Sequence, residues 1–117
     1  MPQSKVTMTV RHYDTKASVI DIQGEVTAAA ENVLMDAYTQ ASKAHAIILN
    51  FTGMEYMNSS GIGLLVTLLI RINRQKQKLL TYGLTDHYKQ IFMLTRLNEA
   101  IGIYGSESEA LAAAGAA

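Results

Sequence analysis

The sequence of 117 residues contains no cysteine. This absence excludes a disulfide framework, a thiolate metal site and a cysteine nucleophile. An excess of charge is also lacking, because ten lysines and arginines balance ten aspartates and glutamates. No global field should therefore draw the protein to nucleic acid or to anionic lipid.

Long hydrophobic runs are missing as well. The longest covers residues 62–70 and is followed by Arg71, which is well short of the roughly 20 residues that cross a bilayer. The amino-terminal stretch MPQSKVTMTV alternates between polar and apolar residues and lacks the apolar core of a signal peptide. We therefore expect a cytoplasmic protein without a membrane segment.

The composition that remains is that of a globular domain. Hydrophobic residues make up 49% of the chain, far above the level of a disordered segment. A length of 117 residues falls within the roughly 100 to 200 residues of one domain. The sequence therefore predicts a single domain spanning residues 1–117.

Hydrophobic periodicity predicts the order of the elements. Alternation over residues 5–11 and the run 17–23 indicate two strands of a hairpin, which Gly24 ends, and short apolar runs indicate strands at 46–50, 79–83 and 101–104. Helical spacing begins after the capping residue Thr27 and recurs at 59–76, 86–96 and 106–115, leaving a loop at 51–58. The order β-β-α-β-α-β-α-β-α predicts an α/β fold, with a mixed, mostly parallel central sheet and helices packed against it.

The segment NSSG precedes the apolar helix at residues 59–76. Asn58 is a favoured capping residue, which makes Ser59 and Ser60 the first two helical residues and Gly61 the third. The free amides and the positive end of the helix dipole stabilise negative charge there, so a phosphate on Ser59 would be accommodated. Gly61 is expected to leave room for another protein's active site. The same pattern is also typical of a plain helix cap.

Other chemistry lacks necessary parts. The histidines at 12, 45 and 87 are scattered along the predicted elements, and no G-x-S-x-G elbow is present. No cluster of ligands at short spacing indicates a metal site. The glycines at 61 and 63 lack the rest of a dinucleotide or P-loop motif. We therefore expect no enzyme activity, no metal and no cofactor.

The run AIILNFTGMEYMNSSGIGLLVTLL, residues 46–69, resembles the signature of STAS domains. It is most similar to that of the stand-alone anti-sigma factor antagonists of bacterial partner-switching pathways. Their usual form is a hydrophobic strand, a short loop, Asp-Ser-Ser/Thr-Gly and an apolar helix. Residues 22–34 resemble the family's Gly-Glu turn into the first helix, and residues 83–113 resemble its closing segment. The resemblance therefore covers nearly the whole chain.

The resemblance implies a regulatory protein that is not an enzyme and does not contact nucleic acid directly. Such proteins bind an ATP-dependent serine kinase that doubles as an anti-sigma factor, and phosphorylation breaks the complex until a PP2C-type phosphatase restores it. The modified serine corresponds to Ser59, and Ser60 matches the second, usually unmodified position. Asn58 stands where the family usually has Asp, which affects how a kinase would recognise the site. We expect a monomer or weak dimer.

The partner surface is expected on one rim of the sheet. It comprises Gly24, Glu25, Thr27, Met54, Tyr56, Met57, Ile62 and Leu65. Thioethers and an amphipathic ring adapt well to a partner pocket, although one or two of the residues at 54, 56 and 57 could instead belong to the core. An alternative function is a scaffold or regulatory module of the same fold that is never phosphorylated, in a stress-sensing assembly or a transporter complex.

Overall fold

The structure, a computed structural model, describes residues 5–116. One five-stranded sheet has the order β1-β2-β3-β4-β5, with β1 antiparallel to β2 and every other neighbouring pair parallel. The predicted α/β fold and its element order are therefore confirmed. The strands are β1 (Val6–Tyr13), β2 (Ala17–Val26), β3 (Ala46–Met57), β4 (Lys78–Tyr82) and β5 (Gly102–Tyr104). The helices are α1 (Glu31–Ala41), α2 (Ser59–Arg74), α3 (Asp86–Leu94) and α4 (Glu107–Ala113), with 3-10 turns at Ala28–Ala30 and Leu97–Glu99.

Three helices cover one face of the sheet. Successive side chains of a strand point to opposite faces, so alternate residues of β2 and β3 meet the buried stripes of α1, α2 and α3. This face is mainly apolar, with Ser18 and Thr81 as its buried polar residues, and it forms the main core. Its fully buried large side chains include Ile20, Ile22, Leu34, Ile47, Leu49, Phe51, Leu65, Leu68, Ile72 and Phe92.

Two strands continue beyond their predicted ends. Strand β3 pairs with β4 only as far as Asn50, but it stays paired with β2 until Met57. The prediction of a loop at 51–58 was therefore wrong. Gly24 was also predicted wrongly as the end of β2, since it lies inside that strand with a φ of 99°. A Cβ atom at this position would lie 1.8 Å from the carbonyl oxygen of Lys5, so only glycine fits.

The opposite face is covered by the short helix α4. A second, smaller apolar cluster lies beneath it, in which Ala110 packs with residues of strands β2, β3 and β4. These residues are Ala17, Val19, Ala46, Ile48, Leu80 and Tyr82. Because α4 contributes mainly alanines, apolar burial alone gives this face much less contact than the main core has.

A polar network fastens α4 to the sheet. Arg11 on β1 donates two hydrogen bonds to Asp21 on β2, with N–O distances of 2.6 and 2.9 Å, and its guanidinium also binds Glu107 at the start of α4. The hydroxyls of Tyr13 and Tyr82 donate to the same Glu107 carboxylate, at 3.0 and 2.6 Å. We call these five residues the ionic staple. It joins strands β1, β2 and β4 to a helix that lies 96 residues along the chain from Arg11.

The charges of the ionic staple stabilise one another. The Arg11 guanidinium, followed by the Tyr82 hydroxyl, lowers the pKa of Glu107 to about 2. Arg11 likewise holds the pKa of Asp21 below its usual value. Burial and the bond to Glu107 raise the pKa of Tyr82. Across the neutral range, Arg11 therefore stays protonated and Asp21 and Glu107 stay ionised. Tyr13 and Tyr82 keep their hydroxyl protons.

Candidate functional site

The start of α2 lies where β2 and β3 end. Asn58 is extended, and its Oδ1 accepts a hydrogen bond from the Gly61 amide at 2.9 Å, while its backbone carbonyl accepts from Ile62 at 3.0 Å. The Asn58 amide donates to the Val26 carbonyl oxygen at 3.3 Å, which ties the cap to the end of β2. The prediction that Asn58 caps this helix is confirmed.

Gly61 has a different role from the one expected. It is buried, and a Cβ atom there would lie 2.2 Å from the Val26 carbonyl oxygen and 2.7 Å from the Cγ atom of Met57. A side chain would therefore push α2 away from the end of β2. Gly61 permits this close approach inside the protein and offers no space to a partner's active site, which corrects the expectation from the sequence.

Ser59 and Ser60 are both exposed as the first two residues of α2. An acidic residue in the first turn of a helix stabilises it through the macrodipole. Among the described α-helices, α1, α3 and α4 each have such an acid, whereas α2 has none. The first turn of α2 is therefore the place where an added negative charge would meet an uncompensated helix dipole.

The two strand ends bring most of the predicted partner surface together. In the pairing of β2 with β3, Gly24 lies opposite Met54, and Glu25 lies opposite Tyr56. Tyr56 is 49% exposed. The remaining predicted residues at this rim, Gly24, Glu25, Thr27, Met54 and Ile62, are half-buried.

Two members of the predicted surface lie in the core. Met57 is 5% exposed and Leu65 is 1% exposed. Met57 packs against the start of α2, and its amide donates to the Tyr88 hydroxyl at 2.9 Å. The helical stripe through Leu65 faces the sheet. Neither side chain is accessible to a partner. The predicted partner surface is therefore left with Tyr56 and the half-buried residues named above.

Acidic residues lie at the same edge of the sheet as the start of α2. Glu55 is exposed beside Tyr56, Glu25 lies opposite on β2, and Glu31 and Asp86 are exposed in the first turns of α1 and α3. We call these four residues the acidic rim. Parallel strands end at one edge of a sheet, and the following helices begin there. The acidic rim could have been predicted from the sequence, because Glu31 and Asp86 stand at the predicted starts of helices.

Between residues 5 and 116, no three histidine, aspartate or glutamate side chains come together as a metal site would require. Over that same range, no helix has both the length and the apolar character needed to cross a bilayer.

A mixed five-stranded sheet with three helices on one face and one on the other defines a small α/β domain, with a polar helix start at its rim. The chain belongs to the STAS domain family, whose model matches residues 7–110. It is 26% identical, over 106 residues, to a Listeria monocytogenes protein named anti-sigma-B factor antagonist, and the match covers 89% of this chain and 93% of that protein.

Solved structures resemble the same fold. An anti-sigma factor antagonist from Mycobacterium paratuberculosis superposes with a TM-score of 0.78 at 20% identity, covering 93% of each chain. The Bacillus cell fate determinant SpoIIAA in its phosphorylated form gives a TM-score of 0.67 at 20% identity, covering 92% of this chain and 98% of that one. At these identities the similarity establishes the fold.

Proposed function

We propose that this protein is an anti-sigma factor antagonist that is switched by phosphorylation of Ser59. In the unmodified form it binds an anti-sigma factor with serine kinase activity and displaces the sigma factor. The phosphorylated form releases the kinase, and a PP2C-type phosphatase returns it to the binding form. The protein acts in the cytoplasm as a regulator and not as an enzyme.

The observation that carries this proposal is the exposed Ser59 at the start of α2, in a chain of the STAS family. A phosphate there adds about −1.5 to −2 charges. The monomer accommodates this charge because the first turn of α2 has no acid of its own. A partner packed against the acidic rim would instead meet added repulsion and a desolvation cost. Phosphorylation is therefore expected to change binding and to leave the fold intact.

The partner surface that we propose consists of Tyr56 with its half-buried neighbours. These are Gly24, Glu25, Thr27, Met54 and Ile62. Tyr56→Ala and Met54→Asp should each weaken kinase binding. Leu94→Ala is the control, since Leu94 is exposed at the far end of α3.

The experiment that tests the switch is intact-mass analysis with peptide mapping. Protein purified from its native cells with phosphatases inhibited should carry phosphate on Ser59 under some growth conditions. In a reaction with the kinase and ATP, Ser59→Ala should abolish the mass increase and Ser60→Ala should retain it. The two serines are neighbours and both are exposed, so they form a matched pair. A chain that stays unmodified under every condition would favour the unphosphorylated scaffold.

Asn58 permits a second test of the same proposal. Asn58→Asp restores the residue that is usual in the family and keeps the cap, because Asn and Asp cap helices equally well. If the kinase recognises an acidic neighbour, this variant should be phosphorylated with a higher kcat/KM at unchanged stability. An unchanged or lower kcat/KM would show that the kinase of this protein does not depend on the acid.

A further inference from the structure

The end of the sheet opposite Ser59 carries a group of exposed basic residues. We call this group the basic end, and it consists of Lys16, Lys43, Arg71, Arg74, Lys76 and Lys78. The Lys16 carbonyl accepts from the Ala46 amide at 3.0 Å, and the Lys78 amide donates to the His45 carbonyl at 2.9 Å, so both lysines flank the start of β3.

Local hydrogen bonds hold the turns of the basic end together. The Gln77 side-chain amide donates to the carbonyl oxygens of Ser42 and Ala44, at 2.7 and 2.6 Å. The Tyr38 hydroxyl in turn donates to Gln77 Oε1 at 2.8 Å. These bonds fix the turn before β3 against the turn before β4. The lysines at 43, 76 and 78 are therefore carried by a fixed piece of backbone.

An open cleft lies within the basic end, between α1 and α2. It has a volume of about 370 Å³ and is lined by Tyr38, Arg71, Arg74 and Gln75. Among residues 5–116, the ion pairs involve Arg11 as the only base. Arg71 and Arg74 thus have no carboxylate partner there, and their planar donors are suited to bind a phosphate.

The positive charge of the basic end exceeds the negative partial charge at the carboxyl ends of α1, α2 and α3. The carboxyl ends of three helices supply about 1.5 negative charges in total. Asp14 lies in the turn beside Lys16, and Arg96 and Glu99 after α3 offset each other. The six basic residues therefore leave an excess of several positive charges. The balanced composition of the sequence hides this excess, because the acids are gathered at the opposite rim.

The acidic rim of the same protein has the complementary charge. Lys5 and Lys89 offset two of its four acids, and the starts of α1, α2 and α3 offset about 1.5 charges more. A phosphate on Ser59 adds about −1.5 to −2 charges and so supplies most of the negative charge of the rim. The rim becomes a strong match for the basic end only in the phosphorylated form.

We propose that the phosphorylated rim of one copy docks on the basic end of a second copy, with the Ser59 phosphate in the cleft between Arg71 and Arg74. This proposal rests on phosphorylation at Ser59. The contact is head-to-tail, so the two surfaces differ and short open chains can form. Docking covers the phosphoserine and slows its removal by the phosphatase as the protein concentration rises.

The test uses protein with phosphoserine incorporated at position 59 during translation, so that it does not depend on the kinase. Sedimentation velocity should show self-association at about 0.05 M salt that weakens strongly at about 0.5 M salt, because surface charges are then screened. Unmodified protein should remain monomeric. Phosphorylated protein that stays monomeric at both salt concentrations would overturn the proposal.

A mixing experiment tests the head-to-tail geometry. The double variant Arg71→Glu/Arg74→Glu with phosphoserine at 59 has an intact rim and a disabled cleft, and it should self-associate at least about tenfold more weakly. Mixed with unmodified wild-type protein, whose cleft is intact, it should form a one-to-one complex. Absence of this complex, or full self-association of the double variant alone, would overturn the assignment.

Two controls complete the design. Lys5→Glu/Lys89→Glu, also with phosphoserine at 59, changes the net charge equally but leaves the basic end intact and makes the rim more acidic, so it should associate at least as strongly as the phosphorylated wild type. An unrelated acidic phosphopeptide should bind the cleft much more weakly than the phosphorylated rim does. Equal binding of that peptide would show that the cleft accepts any phosphate, and it would overturn a second copy as the specific occupant. None of these outcomes bears on whether the kinase modifies Ser59.

Discussion

The two faces of the sheet are closed by different means. The face beneath α1, α2 and α3 is apolar and contains most of the large buried side chains. The face beneath α4 has a small apolar cluster and is fastened by the ionic staple. A short alanine-rich helix can therefore be held firmly when one carboxylate at its start, that of Glu107, satisfies several partners at once.

The largest expected effect compares equal deletions on the two faces. Leu65→Ala removes a buried side chain from the main core, and Leu80→Ala removes one from the cluster beneath α4. Buried Leu→Ala substitutions cost about 2 to 5 kcal/mol, depending on how far the surroundings collapse. Leu65→Ala should lie near the top of that range and Leu80→Ala near the bottom, measured by chemical denaturation. Equal losses in the free energy of unfolding would contradict the view that the main core is the more tightly packed of the two faces.

A smaller effect is expected from the ionic staple. Glu107→Gln removes a charge that Arg11 and two tyrosines share, and it should cost about 1.5 to 3 kcal/mol, the range for hydrogen bonds to charged groups. Hydrogen exchange should show faster amide exchange in α4 while α1, α2 and α3 stay protected. Glu109→Gln is the matched control because Glu109 is an exposed acid in the same turn. A similar loss of stability for both variants would mean that Glu107 stabilises α4 through the helix dipole alone and not through the ionic staple.

The same staple predicts how stability depends on pH. The pKa of Glu107 is lowered to about 2 in the folded protein, and an unfolded glutamate titrates near 4.3. Its stabilising contribution is therefore complete above about pH 4.5 and is lost as the pH falls toward 2. Denaturation midpoints between those pH values should fall more steeply for the wild type than for Glu107→Gln. Parallel curves would refute this assignment.

The smallest effect concerns a single polar contact at the start of α2, one of the helices that cover the main core. Asn58→Ala removes the hydrogen bond to the Gly61 amide and should cost about 1 kcal/mol. Thr85→Ala is the control, because Thr85 is exposed and precedes α3 without a side-chain capping bond, and its cost should be within about 0.5 kcal/mol. A cost for Asn58→Ala as large as that for Glu107→Gln would mean that the cap matters as much as the whole staple.

Local patterns in the sequence predicted the apolar face well. The alternation of Val6, Met8 and Val10 and the helical stripe along α2 each reflect burial on one side, which neighbouring residues reveal. The extension of β3 was missed because the residues from Thr52 to Tyr56 are largely exposed and pair with one neighbouring strand only. Such a segment lacks the continuous apolar run that marked the first half of β3.

The polar face and the two charged ends could not be predicted in the same way. Arg11 and Glu107 are 96 residues apart, and nothing near either residue indicates the other. Residues of the basic end come from four separate turns and helix ends. Their proximity depends on the parallel order of the strands and on the direction of each helix. For the candidate site, the sequence correctly predicted Asn58 as the cap and Ser59 as the first residue of α2, whereas the burial of Met57 and Leu65 required the structure.

Gly61 also bears on how similar sequences are interpreted. Its place in the Ser-Ser-Gly motif is explained by the 2.2 Å that a Cβ atom would leave to the Val26 carbonyl oxygen, a packing requirement that exists whether or not a kinase is present. A glycine at this position in another chain would therefore report how closely that helix approaches its neighbouring strand. Searches that use the motif to count phosphorylated proteins would include members that only share the architecture.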